Sequence, residues 1–490
     1  MNRPYAYIGL AALAGSFILR DSVFLAVISV LAVTLAVLIV LVRNKKSLWG
    51  CIPTGLVALA VAASFIFGGS RCELARERVG TAANIAVVVE ETDHESPLYH
   101  RYLAKIKASS DKEIVGMRVR INLPADIYLS PGEEVNLAAE FEDGGSGAES
   151  YGSEGVYLFA TAKGISGVPQ SRVTIYSLAE SLRSKIAEAL ESIGITENTG
   201  VMKALLIGDK SGLPDSLEGA VRNAGVSHIL VVSGMHLSII CGAMLILLER
   251  GGLSGRTITV ISAVMTVFII MASTFHISIL RAGLSYVIYL IGRLIFRNAD
   301  GLNSLGLATA LLCAIFPMLA YNVAFLLSAS ATFAVVWTAR LISDKIPFYR
   351  LRKPLRVAVV YLFGVICASV CAGICTLPIV ATVFGCVSLI APITNLAVDI
   401  LVSAALILGV LGVLIYCIPL VGGFFSFPFI LLFERLTEAF VSVVEFFGRS
   451  SITLIEIEGN KNIYCFFISI AFILIVWYFC KVKEGVGRAG

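Results

Sequence analysis

The run His228-Ile-Leu-Val-Val-Ser233-Gly234-Met235-His236-Leu-Ser-Ile-Ile240 places two of the chain's five histidines at the head of an apolar stretch that continues to Leu248. That stretch has the length of a membrane span. Imidazoles, a serine and a glycine are costly at the mouth of a lipid-embedded helix, and ionisable groups at such depth mark a pathway or a site.

The rest of the chain has the same character. Of its 490 residues 57% are hydrophobic and 15% charged, where a soluble protein carries roughly 25% charged residues. Uncharged apolar runs recur along it. Runs at 4–19, 22–42 and 48–69 follow one another closely, so residues 1–70 are read as three spans and not as a cleaved signal peptide. Arg43, Lys45 and Lys46 are then cytoplasmic by the positive-inside rule, and the third span delivers residues 71–227 to the outer side. The span at 228–248 returns to Arg250 and Arg256. Further spans are expected near 257–275, 277–296, 303–320, 323–339, 357–384, 394–418, 421–440 and 463–480, with a short cytoplasmic tail at 481–490. The expected fold is therefore a polytopic α-helical membrane protein of about 12 spans, nine of them in a domain at 228–480. Glu434, Arg435, Glu438 and Glu445 place part of the 421–440 segment along the interface.

Residues 71–176 read differently. Val115, Met117, Val119, Ile121 and Leu123 alternate with Gly116, Arg118, Arg120 and Asn122, the period of a half-buried strand. Similar stretches lie near 83–91, 101–108, 133–141 and 155–163. Five short strands fit a small extracytoplasmic β-barrel of the oligonucleotide/oligosaccharide-binding (OB) type, among other small β folds. In 177–227, Ser177 and Glu180 form a capping-box pattern, and Leu178, Leu182, Ile186, Leu190 and Ile193 form an apolar stripe that packs on the barrel or on the membrane surface. Asp215 and Glu218 open a second, short helix that ends near Gly225. The charge is uneven. Six basic and two acidic residues occupy 101–120, and eight acidic and no basic ones occupy 121–154. A face made by Arg101, Lys105, Lys107, Arg118 and Arg120 is the candidate for polyanion capture; an evenly solvated surface explains the same residues.

Chemistry-bearing patterns are few. Cys367, Cys371 and Cys375 recur at helical spacing, which small residues at helix contacts explain better than a metal ladder, and no cofactor is implied. Ser233 lacks a Gly-x-Ser-x-Gly elbow, and the sequence holds no P-loop. Ordered polar words do stand out: Leu206-Ile-Gly208-Asp209, Gly225-x-x-His228, Val232-Ser233-Gly234-Met235-His236, Ser278-Ile-Leu-Arg281-Ala282, Asn303, Pro317, Phe325-Leu-Leu-Ser328, Thr376-Leu-Pro378 and Pro392-Ile-Thr-Asn395.

Over roughly 200–400 these words resemble the ComEC family, inner-membrane proteins of bacterial competence, and the leading spans and β domain come in that family's order. The resemblance implies a channel in the bacterial cytoplasmic membrane that passes single-stranded DNA and catalyses nothing itself. It also implies a membrane-bound DNA receptor outside and an ATP-driven helicase-like motor inside. Two departures are visible. Leu326-Leu327-Ser328 stands where the family commonly has Gln-Leu-Ser. The His-x-His-x-Asp-His motif of the metallo-β-lactamase-like domain that many members carry is missing, so a separate nuclease is expected.

On this reading the lining residues are His228, Ser233, Gly234, His236, Arg281, Asn395 and Asp399. A helix broken at Ser233-Gly234 would offer backbone N–H groups to phosphate oxygens; alternatively, both histidines pair with nearby backbone or lipid head groups. Arg281 either lines the path or pairs with Asp399, which lies one helical turn from Asn395. Two other classes use the same residues: a secondary transporter of a smaller anionic solute, and a membrane-embedded hydrolase built on Ser233 and His236.

Overall fold

A computed structural model describes residues 3–19, 21–43, 48–193, 198–294, 300–343, 353–449, 454–457, 464–465 and 467–472. The expected last span is described only in part, and the 481–490 tail lies outside the described residues. Three helices open the chain: α1 (Pro4–Ile18), α2 (Val23–Arg43) and α3 (Leu48–Glu77). Six strands follow, β1 (Ala82–Glu95), β2 (Tyr99–Ser109), β3 (Arg118–Pro124), β4 (Glu133–Glu142), β5 (Val156–Thr161) and β6 (Ser166–Ser171), with α4 (Ala148–Gly152) before β5. Next come α5 (Ile175–Ile193), α6 (Thr199–Ile207), α7 (Asp215–Asn223), α8 (Gly234–Arg250), α9 (Gly255–Ala272) and α10 (Ile277–Leu294). The described chain closes with α11 (Gly301–Ile315), α12 (Val323–Ser343), α13 (Lys353–Phe384), β7 (Cys386–Ser388), α14 (Ala391–Tyr416), α15 (Gly422–Gly448) and β8 (Leu454–Glu456). Among the described residues, four helical stretches are long and apolar enough to cross a membrane: Ile52–Glu77, Gly255–Ala272, Leu362–Phe384 and Ala391–Tyr416. Five shorter apolar helices accompany them.

The chain forms two compact units, one of residues 1–185 with 263–325, the other of 186–262 with 326–490. In the first, α1 and α11 run parallel. Arg3 Nε meets Asp300 Oδ2 at 2.9 Å at their starts, and Ser16 Oγ donates to the Pro317 carbonyl at 2.6 Å at their ends. Gly9 and Gly306 let the backbones touch: a Cβ on Gly306 would lie 2.3 Å from Ala6 Cα. Small residues at such crossings give packing in a solvent where apolar side chains gain nothing by leaving lipid.

The β domain of this unit is a closed circuit. β1 pairs antiparallel with both β2 and β4, β2 with β3, and β4 with β5, while β3 and β5 are parallel. Val87, Ile106, Val119, Ile121, Leu137 and Phe141 fill the interior, as period-2 alternation requires. The sixth strand, β6, pairs with β4 alone. Its Ser-Gly-Val-Pro-Gln-Ser sequence carries no alternation and gives no strand signal.

In the second unit α14 and α15 form a tight hairpin. Gly409 and Gly412 lie against Phe433 and Ile430. The 421–440 segment is thus the greater part of one continuous helix, with Glu434 and Thr437 buried against its neighbours and Arg435 and Glu445 exposed. α7 docks on α15 through Asn223 Nδ2, which donates to the Gly448 carbonyl at 3.1 Å.

Candidate functional site

The His228–His236 run is not one helix. His228 sits exposed in a short 3-10 turn, Ser227–Ile229, and α8 begins six residues later. Ser233 is its N-cap, with extended φ −130° and ψ 175°. Ser233 N–H donates to His236 Nδ1 at 3.3 Å, Ser233 Oγ lies 3.1 Å from the same nitrogen, and Met235 N–H donates to Ser233 Oγ at 3.3 Å. The sequence signals expect a helix break here, and the break is present. The free N–H groups expected there are partly used, because Ser233 and His236 cap each other reciprocally.

Nδ1 accepts a backbone N–H, so the ring proton belongs on Nε2. That nitrogen is buried without a hydrogen-bond partner among the described residues. As a hydrolytic dyad the pair is poorly placed. The nitrogen that would take the serine proton is already occupied by the serine's own amide, within a local cap.

Long-range packing, invisible in the sequence, brings the other words to this mouth. Gly225 has φ +75°, and a Cβ there would lie 2.6 Å from Ala391 Cβ and 2.8 Å from Ser388 Cβ. Only glycine meets both demands. Ser388 Oγ donates to the Asn223 carbonyl at 2.8 Å. The turn leading into His228 is therefore seated on the start of α14, and α8 packs along α14. Asn395 and Asp399 lie on that helix, both half-buried. Asn395 Nδ2 donates to Ser369 Oγ on α13 at 2.7 Å, while its Oδ1 is buried and unpartnered among the described residues. Ser369, Ser388 and Gly448 carry no motif, and only the fold reveals them.

Arg281 belongs to the first unit and Asp399 to the second. The arginine is buried on α10. α10 lies close to α9, where a Cβ on Gly283 would come within 2.7 Å of Ile270. Tyr286 and Tyr289, on the same helix, stack with ring centres 6.3 Å apart.

The basic face of the β domain is largely committed. Arg118 Nε meets Glu90 Oε2 at 2.6 Å, Nη1 donates to the Glu154 carbonyl at 2.6 Å and Nη2 to Tyr176 Oη at 2.5 Å. Burial opposes its charge, yet Glu90 and Tyr176 hold its pKa above the usual value. A bulge in β1 supplies Glu90, because Val89 faces Ala104 and Glu91 faces Leu103, leaving Glu90 as the extra residue. Burial, reinforced by Glu154, pushes neighbouring Glu91 up to about 7, and burial with Asp93 raises Glu154. Arg120 lies between the Tyr151 and Phe159 rings, 4.7 Å from each. Arg101 is shared between Asn122 Oδ1 and Tyr99 Oη at 3.3 Å each. Lys105 and Lys107 are exposed. Of the five expected capture residues, these two lysines alone project as exposed cations.

The folded chain is thus a membrane protein in which a closed β domain rises from apolar helices and a capped helix start is seated against a second, longer helix. Residues 205–482, more than half of the chain, match the Competence protein family, and the chain belongs to that family. A relative, "ComE operon protein 3" of Bacillus subtilis (strain 168), is 26% identical over 156 residues. The match covers 32% of this chain and 20% of that protein, so it spans about a fifth of the relative's length. No solved structure matches the chain.

Proposed function

We propose that the chain is the membrane conduit through which single-stranded DNA enters the cytoplasm during competence. On this proposal it is a multi-pass protein of the cytoplasmic membrane with about 12 spans. It conducts without catalysing, and a cytoplasmic ATP-driven motor pulls. A membrane-bound receptor delivers DNA, and a separate nuclease removes the other strand. One observation carries the reading: the family match at 205–482 covers the region where Gly225, Ser388 and Ala391 bring the mouth of α8 onto α14. His228 is exposed beside this contact, where it can meet a phosphate in transit.

The β domain is read as an OB-type barrel, supported by its closed β1-β2-β3-β5-β4 circuit and single parallel pair. Lys105, Lys107 and the edge of Arg101 are its remaining capture residues, with Arg118 and Arg120 holding the face together. The test is entry of labelled duplex DNA into nuclease-protected cytoplasm, comparing the parent strain, a deletion, and the deletion restored with His228→Ala or Arg281→Ala. Loss of uptake that correctly inserted variants fail to rescue supports the conduit. Unchanged uptake in a demonstrably competent deletion strain excludes it and favours a transporter of smaller anions.

A further inference from the structure

Helix α5 carries more apolar surface than its neighbours cover. In the first unit its inner flank is used: Tyr176 packs on Phe275 with ring centres 5.4 Å apart, and Arg183 Nη1 donates to the Thr274 hydroxyl and, at 3.5 Å, to the Ala272 carbonyl. Ala272 is the last residue of a helix long and apolar enough to cross a membrane. Tyr176 and Arg183 are seven residues, about 10 Å, apart along the axis, yet both reach this one turn. The helix therefore lies across the end of the span and not end-on to it. The turn itself is held in an unfavourable form, Thr274 and Phe275 having φ of 53° and 57°.

Ile175, Leu178 and Leu182 share the next flank of the helix, at i, i+3 and i+7. Ile175 is 62% exposed and Leu178 51%, and Val173 just before the helix is 86% exposed. Lys185 continues the same stripe and is exposed, while Arg172, next to Val173, is paired with Glu134 Oε2 at 2.7 Å. Ser177, Glu180 and Ser184 form the opposite, polar side. An apolar stripe with an exposed lysine at its end, lying across the end of a membrane-spanning helix, has the composition of an interfacial helix. We propose that this flank of α5 is seated in the outer leaflet of the bilayer, with Ile175 and Leu178 among the acyl chains and Lys185 on anionic head groups. The β domain is then held at a fixed height over the membrane surface, independently of whether DNA passes.

The full chain is reconstituted in nanodiscs of phosphatidylethanolamine and phosphatidylglycerol, with a photo-reactive benzoylphenylalanine replacing Leu178, Ile175 or, as control, Ser184. Intact mass after irradiation reads the partner. The stripe positions are exposed, so the bulky group displaces no core, and either of the two serves if the other fails to insert. Lipid adducts at 175 or 178 at severalfold the yield at 184 are expected. Adduct yields equal to that at 184, or cross-links to a second copy of the chain, overturn the proposal.

Discussion

Replacing Arg118 by methionine should destabilise the β domain, whatever it does to DNA contacts. The guanidinium serves three partners at 2.5–2.6 Å, and the side chains of Arg118 and Glu90 are only 28% and 10% exposed. Removing one member of a buried pair costs about 3–5 kcal/mol, because the other charge is left desolvated and alone. Arg118 retains some solvent, so the lower end applies, about 3 kcal/mol. Typical domains have 5–15 kcal/mol in total. The readout is pulse proteolysis of the full chain in detergent, following the denaturant midpoint for cleavage within 71–176. Arg118→Met should lower that midpoint strongly. Adding Glu90→Gln should restore part of it, since the stranded charge is then gone. Lys105→Met should stay within about 0.5 kcal/mol of the parent. An Arg118→Met chain as resistant as the parent would refute the clamp and return Arg118 to the capture face.

Three further outcomes follow from other contacts. Glu91 has a folded pKa of about 7 against an ordinary 4.5, so its contribution is fully present below pH about 4.5 and is lost as pH rises through about 7. The same proteolysis midpoint should correspond to at most about 3 kcal/mol more stability at pH 5 than at pH 8, and Glu91→Gln should flatten the profile. Gly306→Val would place a Cβ 2.3 Å from Ala6 Cα and the Tyr5 carbonyl, and overpacking of about 3 kcal/mol should appear as a lower melting temperature in detergent. Ser233→Ala removes a cap from α8 and should cost about 1 kcal/mol. In a melting assay Ser233→Thr should recover most of that, whereas a catalytic serine would show its loss in turnover instead.

Much of this architecture was legible in the residues because periodicity survives without a template. The alternation at 115–123 contains β3, which begins three residues later at Arg118, and the stretches near 83–91, 101–108, 133–141 and 155–163 overlie β1, β2, β4 and β5. Boundaries suffered where composition is uniform. An apolar run hides the cap at Ser233, so α8 starts at Gly234 and not at His228. β6 is held by β4 and not by its own side chains. Alternation told which face Arg118 and Arg120 share but not that Glu90, Tyr151, Phe159 and Tyr176 already occupy it. The half-exposed stripe of α5 is the converse case, since its pattern was plain and its cover was not. The seating of Gly225 on Ala391 joins residues 166 positions apart, with no local sign beyond the glycine itself.

Passage of DNA by the mouth of α8 is read by a photo-reactive residue at His228, exposed beside that mouth, in competent cells taking up labelled DNA, with a second at Val260 on α9 as reference. A conduit gives a DNA adduct at 228 that appears only during uptake, and none at 260. Normal uptake with no adduct at 228, or equal adducts at both positions, would contradict it.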